Sequence, residues 1–386
     1  MLFVNSGILG HRAVAELLKD AAALMASIDA SHINLSEELT LGDRIARRLL
    51  CARVAPATGS AANIDFARWR QEMNAALLAA RRVAAAERRS AIDVLHFHTQ
   101  ATAYASLGRM KRTPTIVSID ATERQASLEM TSPLARWTYR PNIRHDGLAF
   151  RAARAIIATS RWAADDLAEL YPDCAHKVHV MPYPVRAAHF ELEWIAARAA
   201  RASNGHAGPV RLLFMGGDFP RKGGPSLLDA WRDASFGDRA QLDLVTDWPL
   251  NARVLPEGVR IVRGVVPYTP AWCDVWRRAD VFVMPTRSEA FGMVFQEAAA
   301  AGVPAIATSI SAIPELVEDG KTGLLVKPDD PADLVGAMRT LVSSSDLRLR
   351  MGCAARDRML AIASPDTYAR NLNALIEDVL ESHVPS

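Results

Sequence analysis

Short, unbroken apolar runs closed by Gly, Pro or polar residues recur along the chain and alternate with segments of helical period. They fall at residues 2–5, 94–97, 115–119, 155–158 and 178–181, and again at 210–215, 242–245, 259–262, 281–284, 305–308 and 323–326. Runs without polar alternation are what a parallel sheet covered on both faces requires. The first run leads into Ser6-Gly7-Ile8-Leu9-Gly10 and then a helical pattern over residues 11–26. Strand, glycine turn and helix open a doubly wound α/β unit. The rhythm lapses around RAARASNGHAGP and then restarts. The expectation is therefore an N-terminal Rossmann-like domain over residues 1–185, a linker over 186–208, and a C-terminal Rossmann-like domain over 209–364. A final helix in 365–386 has no strand after it and is expected to fold back on the first domain. Two such facing halves hold ligands in the cleft between them, at the carboxyl ends of both sheets.

A length of 386 residues, 50% hydrophobic, supplies a full core for each half and excludes disordered or fibrous classes. The formal net charge of +2 gives no reason to expect a nucleic-acid partner. Only six of the 45 basic residues are lysines, so a lysine beside glycines, such as Lys222, stands out. Cys51, Cys174, Cys273 and Cys353 form no C-x-x-C pair, so neither a zinc site nor a disulfide framework is signalled. No uncharged apolar stretch of about 20 residues occurs, and a soluble, cytoplasmic protein is expected.

The densest chemistry lies in ADVFVMPTRSEAFGMVFQEAAAAGVPAIATS, residues 279–309. The run 281–284 ends at Pro285, a polar loop reaches Glu289, Phe291-Gly292 turns the chain, and a helix over 293–301 stops at Gly302-Val303-Pro304. A helix start presents N–H groups and partial positive charge, which suits a pyrophosphate. Glu289 precedes that start and Glu297 follows it by a turn, so two carboxylates can face one ligand. Each alone reads as a solvated residue; the ordered set does not.

This Glu289 to Glu297 spacing, with Phe291-Gly292 inside it, resembles the donor-site signature of family-4 retaining glycosyltransferases of GT-B fold. FMGGDFPRKG (214–223), the SxxPE, DG and GLL run of residues 311–325, ARAIIATS (154–160 with Ala153) and VHVMPYPV (178–185) are similar to further parts of that family. The resemblance implies a metal-independent, retaining transfer of a sugar from a nucleotide diphosphate-sugar to an acceptor hydroxyl on a glycan, a lipid-linked or a small-molecule acceptor, with no cofactor. It implies that Glu297 binds ribose hydroxyls, Glu289 a sugar hydroxyl, and that Phe291, Gly292 and Met293 offer backbone N–H groups. Lys222 would neutralise the leaving diphosphate, and Gly217 would lie beside it. Asp218 stands where the family usually has an arginine, and Arg221 is the expected substitute.

In the first half, Gly7 and Gly10 allow close backbone approach to a ligand or simply a tight turn. His98, at the carboxyl end of the run DVLHFHTQ (93–100), is the candidate for substrate contact; His96 is expected to pack, and no metal is expected. In TIVSIDAT (115–122) Ile119 occupies the slot where many relatives carry a histidine, leaving Asp120 to accept a hydroxyl proton or to cap a turn. Between Leu41 and Arg89, ten arginines oppose four acids on amphipathic stretches. That face contacts an anionic membrane peripherally, docks an anionic acceptor, or is a solvated surface. The alternatives to transfer are epimerisation or phosphorolysis on the same fold, or a non-catalytic nucleotide-sugar-binding subunit.

Overall fold

A computed structural model describes residues 1–7, 11–37, 39–52, 65–130, 132–203 and 208–382. The chain divides into two compact units, Met1–Pro184 with Pro365–Ser386, and Val185–Ser364. In the first unit, β1 (Leu2–Asn5), β2 (Ser31–Asn34), β3 (Leu95–His98), β4 (Thr115–Ile119), β5 (Ala155–Ala158) and β6 (Val178–Val180) form one parallel sheet in the order β2-β1-β3-β4-β5-β6. Every residue of β1, β3, β4 and β5 is buried, which is why these runs read as continuously apolar. Phe3, Phe97, Ile116 and Phe150 are fully enclosed, each stabilising the unit by about 2 kcal/mol through the surface it removes from water.

The second unit repeats the plan. Strands β7 (Val210–Met215), β8 (Ala240–Val245), β9 (Val259–Val262), β10 (Val281–Met284), β11 (Ala305–Thr308) and β12 (Gly323–Val326) pair in the parallel order β12-β11-β10-β7-β8-β9. Strand order reverses between β1 and β3 in one sheet and between β7 and β10 in the other. Such switch points open a crevice at the carboxyl ends of the strands, where ligands of open α/β sheets bind. The two parallel six-stranded sheets are the α/β architecture that the apolar runs imply.

Two elements depart from the sequence reading. β2, with sequence SHIN, is an edge strand with one exposed and three half-buried residues, so it lacks an apolar run to announce it. The segment read as a linker contains the helix Leu192–Ser203 and groups with the second unit. Its Arg198 is buried and donates to the carbonyls of Ala301 at 2.7 Å and Trp276 at 2.9 Å. The helix Pro365–Glu381 groups with the first unit, where Tyr368, Leu372, Leu375, Ile376 and Val379 are buried and the helix packs on His11–Ala23. Among the described residues, no helix is long and apolar enough to cross a membrane.

Candidate functional site

The turn after β7 and the loop after β10 leave adjacent strands at the switch point of the second sheet. Gly223 makes their close approach possible. Its φ is +78°, and a Cβ there would lie 1.8 Å from the Pro285 carbonyl oxygen, so only glycine fits. The two segments are stitched further by the Arg287 N–H, which donates to the Arg221 carbonyl at 2.9 Å. This backbone contact carries Lys222 onto Glu289, and their side chains, 15% and 14% exposed, form an ion pair. Burial pushes the Lys222 ammonium down to about 7; the Arg221 guanidinium adds to that, and Asp218 opposes it. Arg221 itself donates to the Ser288 carbonyl at 2.7 Å and to Asp218 at 3.2 Å, so its guanidinium lies over the same loop. Gly217 faces open space, with nothing within 4 Å of where a Cβ would sit.

Glu289 is followed by buried Phe291 and by Gly292, whose φ of +89° turns the chain into the helix Met293–Ala300. A Cβ on Gly292 would meet the Phe295 ring at 2.9 Å and Glu289 Cγ at 3.2 Å. Of the first-turn N–H groups of this helix, that of Phe295 donates to the Gly292 carbonyl at 2.9 Å, while those of Met293 and Val294 precede the first intrahelical bond, directly after the turn that brings Gly292 against Glu289. At its other end two buried guanidinium groups donate to the last carbonyls: Arg198 to that of Ala301, and Arg356 to that of Ala300. Cations at a helix C-terminus offset the negative end of the dipole, leaving the positive end facing the glycine turn.

Glu297, one turn into the helix, is half-buried, and burial pushes its carboxyl up to about 7. The Tyr268 hydroxyl opposes that shift by donating to Glu297 at 3.1 Å. Tyr268 is a non-glycine residue at φ +64°, a conformation that costs about 1–3 kcal/mol and persists only where its surroundings impose it. Those surroundings are the Arg186 guanidinium 4.8 Å from the ring centroid, His189 at 5.4 Å and Trp272 at 4.9 Å. Sequence reasoning passed over Tyr268 and Arg186. They lie on segments distant from Glu297 in the chain and belong to no motif of fixed spacing.

In the first unit, Gly7 has φ +66° and a Cβ would lie 1.9 Å from Asn34 Oδ1, so packing against β2's end accounts for this glycine. Gly10 lies outside the described residues. His98 is buried at the end of β3 and shares a 2.8 Å hydrogen bond with the Tyr183 hydroxyl. Burial, together with the charge of Asp120, pushes the Tyr183 phenol well up, so Asp120 and His98 converge on one tyrosine. Asp120 is half-buried at the end of β4, while Ile119 beside it is fully enclosed. Asn5, opposite His98 in the β1–β3 register, is 1% exposed and neither atom of its amide has a hydrogen-bond partner among the described residues. Unsatisfied buried amides are rare and call for an explanation such as a ligand. His96 is packed, its Nε2 2.5 Å from Ser118 Oγ, and burial pushes its imidazole down to about 3. Among the described residues, no three His, Cys, Asp or Glu side chains are grouped so as to hold a metal.

Two family models match the chain: Glycosyltransferase Family 4 over residues 45–189 and Glycosyl transferases group 1 over residues 209–344. D-inositol 3-phosphate glycosyltransferase of Corynebacterium kroppenstedtii is 34% identical over 159 residues, 41% of this chain and 32% of that protein. Glycogen synthase of Mycobacterium tuberculosis is 29% identical over 280 residues, 69% of this chain and 64% of its own length. The chain thus spans between about a third and two thirds of these relatives. Sucrose-phosphate synthase of Thermosynechococcus elongatus superposes with TM-score 0.72 at 18% identity, covering 99% of each chain. Anabaena HepE in complex with UDP does so with TM-score 0.69 at 16% identity, covering 98% of this chain and 99% of the other. In the sequence of each half, and in its paired parallel sheets, the chain is similar to glycosyltransferases of GT-B fold.

Proposed function

We propose that the protein moves a sugar from a nucleotide diphosphate-sugar to an acceptor hydroxyl with retention of anomeric configuration, and that it needs no metal to do so. The observation that carries this reading is the Lys222–Glu289 pair held at the start of the Met293–Ala300 helix, on the switch point of the second sheet. In the donor complex the diphosphate takes the Lys222 ammonium and the first-turn N–H groups, while Glu289 turns to a sugar hydroxyl and Glu297 accepts two ribose hydroxyls. Arg221 is near enough to the loop to exchange its contact with the Ser288 carbonyl for a phosphate oxygen. Lysine, guanidinium and helix start together neutralise the departing diphosphate, so catalysis rests on preorganised charge and positioning. Asp120 and His98, on the first unit, are the groups proposed to meet the acceptor hydroxyl.

HepE's bound UDP and UDP-glucose make UDP-sugars the first donors to try. With the true donor and an acceptor panel, Glu289→Ala and Lys222→Ala are each expected to lower transfer by about 100-fold or more, and the product is expected to keep the donor's anomeric coupling by NMR in the presence of EDTA. Full transfer by both variants would refute the assignment of the site. Isomerised donor formed without any acceptor would replace transfer by epimerisation.

A further inference from the structure

We infer that the helix Leu41–Leu50 is a docking surface for an anionic phospholipid bilayer. This inference stands apart from the catalytic reading, since it uses none of the residues placed in the donor site. Leu41, Ile45 and Leu49 are 74%, 52% and 71% exposed. Their spacing of four puts them along one side of the helix. The helix does not rely on that side for its own stability. Thr40 and Asp43 form a capping box, Asp43 is buried and paired with Arg81 at 3.1 Å, and the helix packs against the helix Ala67–Glu87. The outward apolar stripe is therefore left over after folding.

The structure also shows where much of the basic excess of this region goes, with Arg88 and Arg89 left exposed just past the helix Ala67–Glu87. Arg68 is held by Glu123, Arg70 by Asp65 and the Leu50 and Ala52 carbonyls, Arg81 by Asp43, and Arg82 by the carbonyls of Asn34 and Glu37. Arg81 and Arg82 are thus part of the fold rather than of a free basic face. Arg44 donates to the Leu39 carbonyl from an exposed position, and Arg47 and Arg48 are exposed with no partner among the described residues. Leucine and isoleucine along one stripe, flanked on one side by Arg48 and Arg44, with Arg47 farther round the helix, match a helix lying in the headgroup layer. Its apolar side chains enter the acyl boundary and its guanidinium groups reach the phosphates. A second copy of this chain on the same face would set these arginines against their own equivalents, which disfavours a symmetric dimer. A lone short helix of this kind gives reversible binding.

The test is co-sedimentation of the full chain with vesicles of 40% phosphatidylglycerol in phosphatidylcholine, against pure phosphatidylcholine, at 0.1 M salt. Binding is expected only with the anionic vesicles. It should weaken by about a hundredfold in Arg44→Ser/Arg47→Ser/Arg48→Ser and be lost in Ile45→Glu/Leu49→Glu. Both sets lie on an exposed face, so their melting temperatures should match the parent's, and that control separates lost docking from lost folding. No binding at 0.1 M salt, equal binding to zwitterionic vesicles, or binding unchanged in both variants would overturn the inference. A concentration-dependent dimer abolished by Ile45→Glu/Leu49→Glu, without vesicle binding, would overturn it in favour of self-association.

Discussion

At the residue scale, Glu297 carries the most specific chemistry. In the role proposed for it, accepting two ribose hydroxyls, its carboxylate must be ionised, yet burial holds this carboxyl up near 7. Nucleotide affinity should therefore rise as pH goes from 6 to 8. The same shift makes the unliganded second unit lose stability as pH rises from about 4.5 to about 7, because the unfolded carboxyl ionises first. The rise in affinity enlarges the thermal shift caused by nucleotide at the alkaline end. Tyr268→Phe removes the hydrogen bond that lowers the Glu297 pKa, so the midpoint of this dependence should move upward; Glu297→Gln should bind weakly with the Glu297-linked pH dependence gone. Titrating nucleotide at pH 6, 7 and 8 against parent and both variants checks this, and a midpoint unmoved in Tyr268→Phe would contradict it. Glu289, Glu297 and Lys222 were legible because a glycine turn and a helix start fix their spacing within short segments. Tyr268 was not, since nothing local ties a loop tyrosine to a carboxylate 29 residues away. Asn5 was hidden for another reason: at the end of an apolar run a buried asparagine looks like a strand terminus, and its unsatisfied amide exists only in the folded sheet.

At the element scale, strands were legible wherever both faces of the sheet are covered, because burial on both sides writes a continuous apolar run. β2 escaped because it is an edge strand only partly enclosed. The helix Leu192–Ser203 escaped because it runs into the strandless RAARASNGHAGP stretch that reads as a connector, and the residue that fixes it, Arg198, is buried through contacts with chain about 80 to 100 positions away. The glycine turn after β7 separates two roles that sequence motifs merge. Gly223 is demanded by the fold: Gly223→Ala forces a Cβ into the Pro285 carbonyl at a positive φ and should cost about 2–4 kcal/mol, read as a lowered melting temperature. Gly217 is not, for a Cβ there meets nothing. Gly217→Ala should melt within about 0.5 kcal/mol of the parent. A loss of transfer in Gly217→Ala with stability intact would then report ligand approach at that residue, whereas a large drop in melting temperature would show that its open surroundings are misread.

At the scale of the whole molecule, the chain is two α/β units of the same plan, with a C-terminal helix that belongs to the first. Tyr368, Leu372, Leu375, Ile376 and Val379 bury one face of that helix, so a chain ending at Ser364 would leave the His11–Ala23 helix uncovered. Such a truncation should lower or abolish the melting transition of the first unit and leave that of the second near its original temperature, as followed by calorimetry; two unchanged transitions would contradict the packing. The basic first half and slightly acidic second half nearly cancel in the net charge of +2, and Arg44, Arg47 and Arg48 leave part of the positive surplus exposed on one amphipathic helix of the first unit. The central claim, that Lys222, Glu289 and Glu297 form a nucleotide-sugar site, is tested most directly by thermal-shift titration of the parent, Lys222→Ala and Glu297→Gln with UDP, GDP and ADP and their sugars. The account predicts that one nucleotide series raises the parent's melting temperature in a saturable way and that both variants lose most of that rise while melting normally without ligand. No rise with any nucleotide in the parent, or an undiminished rise in both variants, would contradict it.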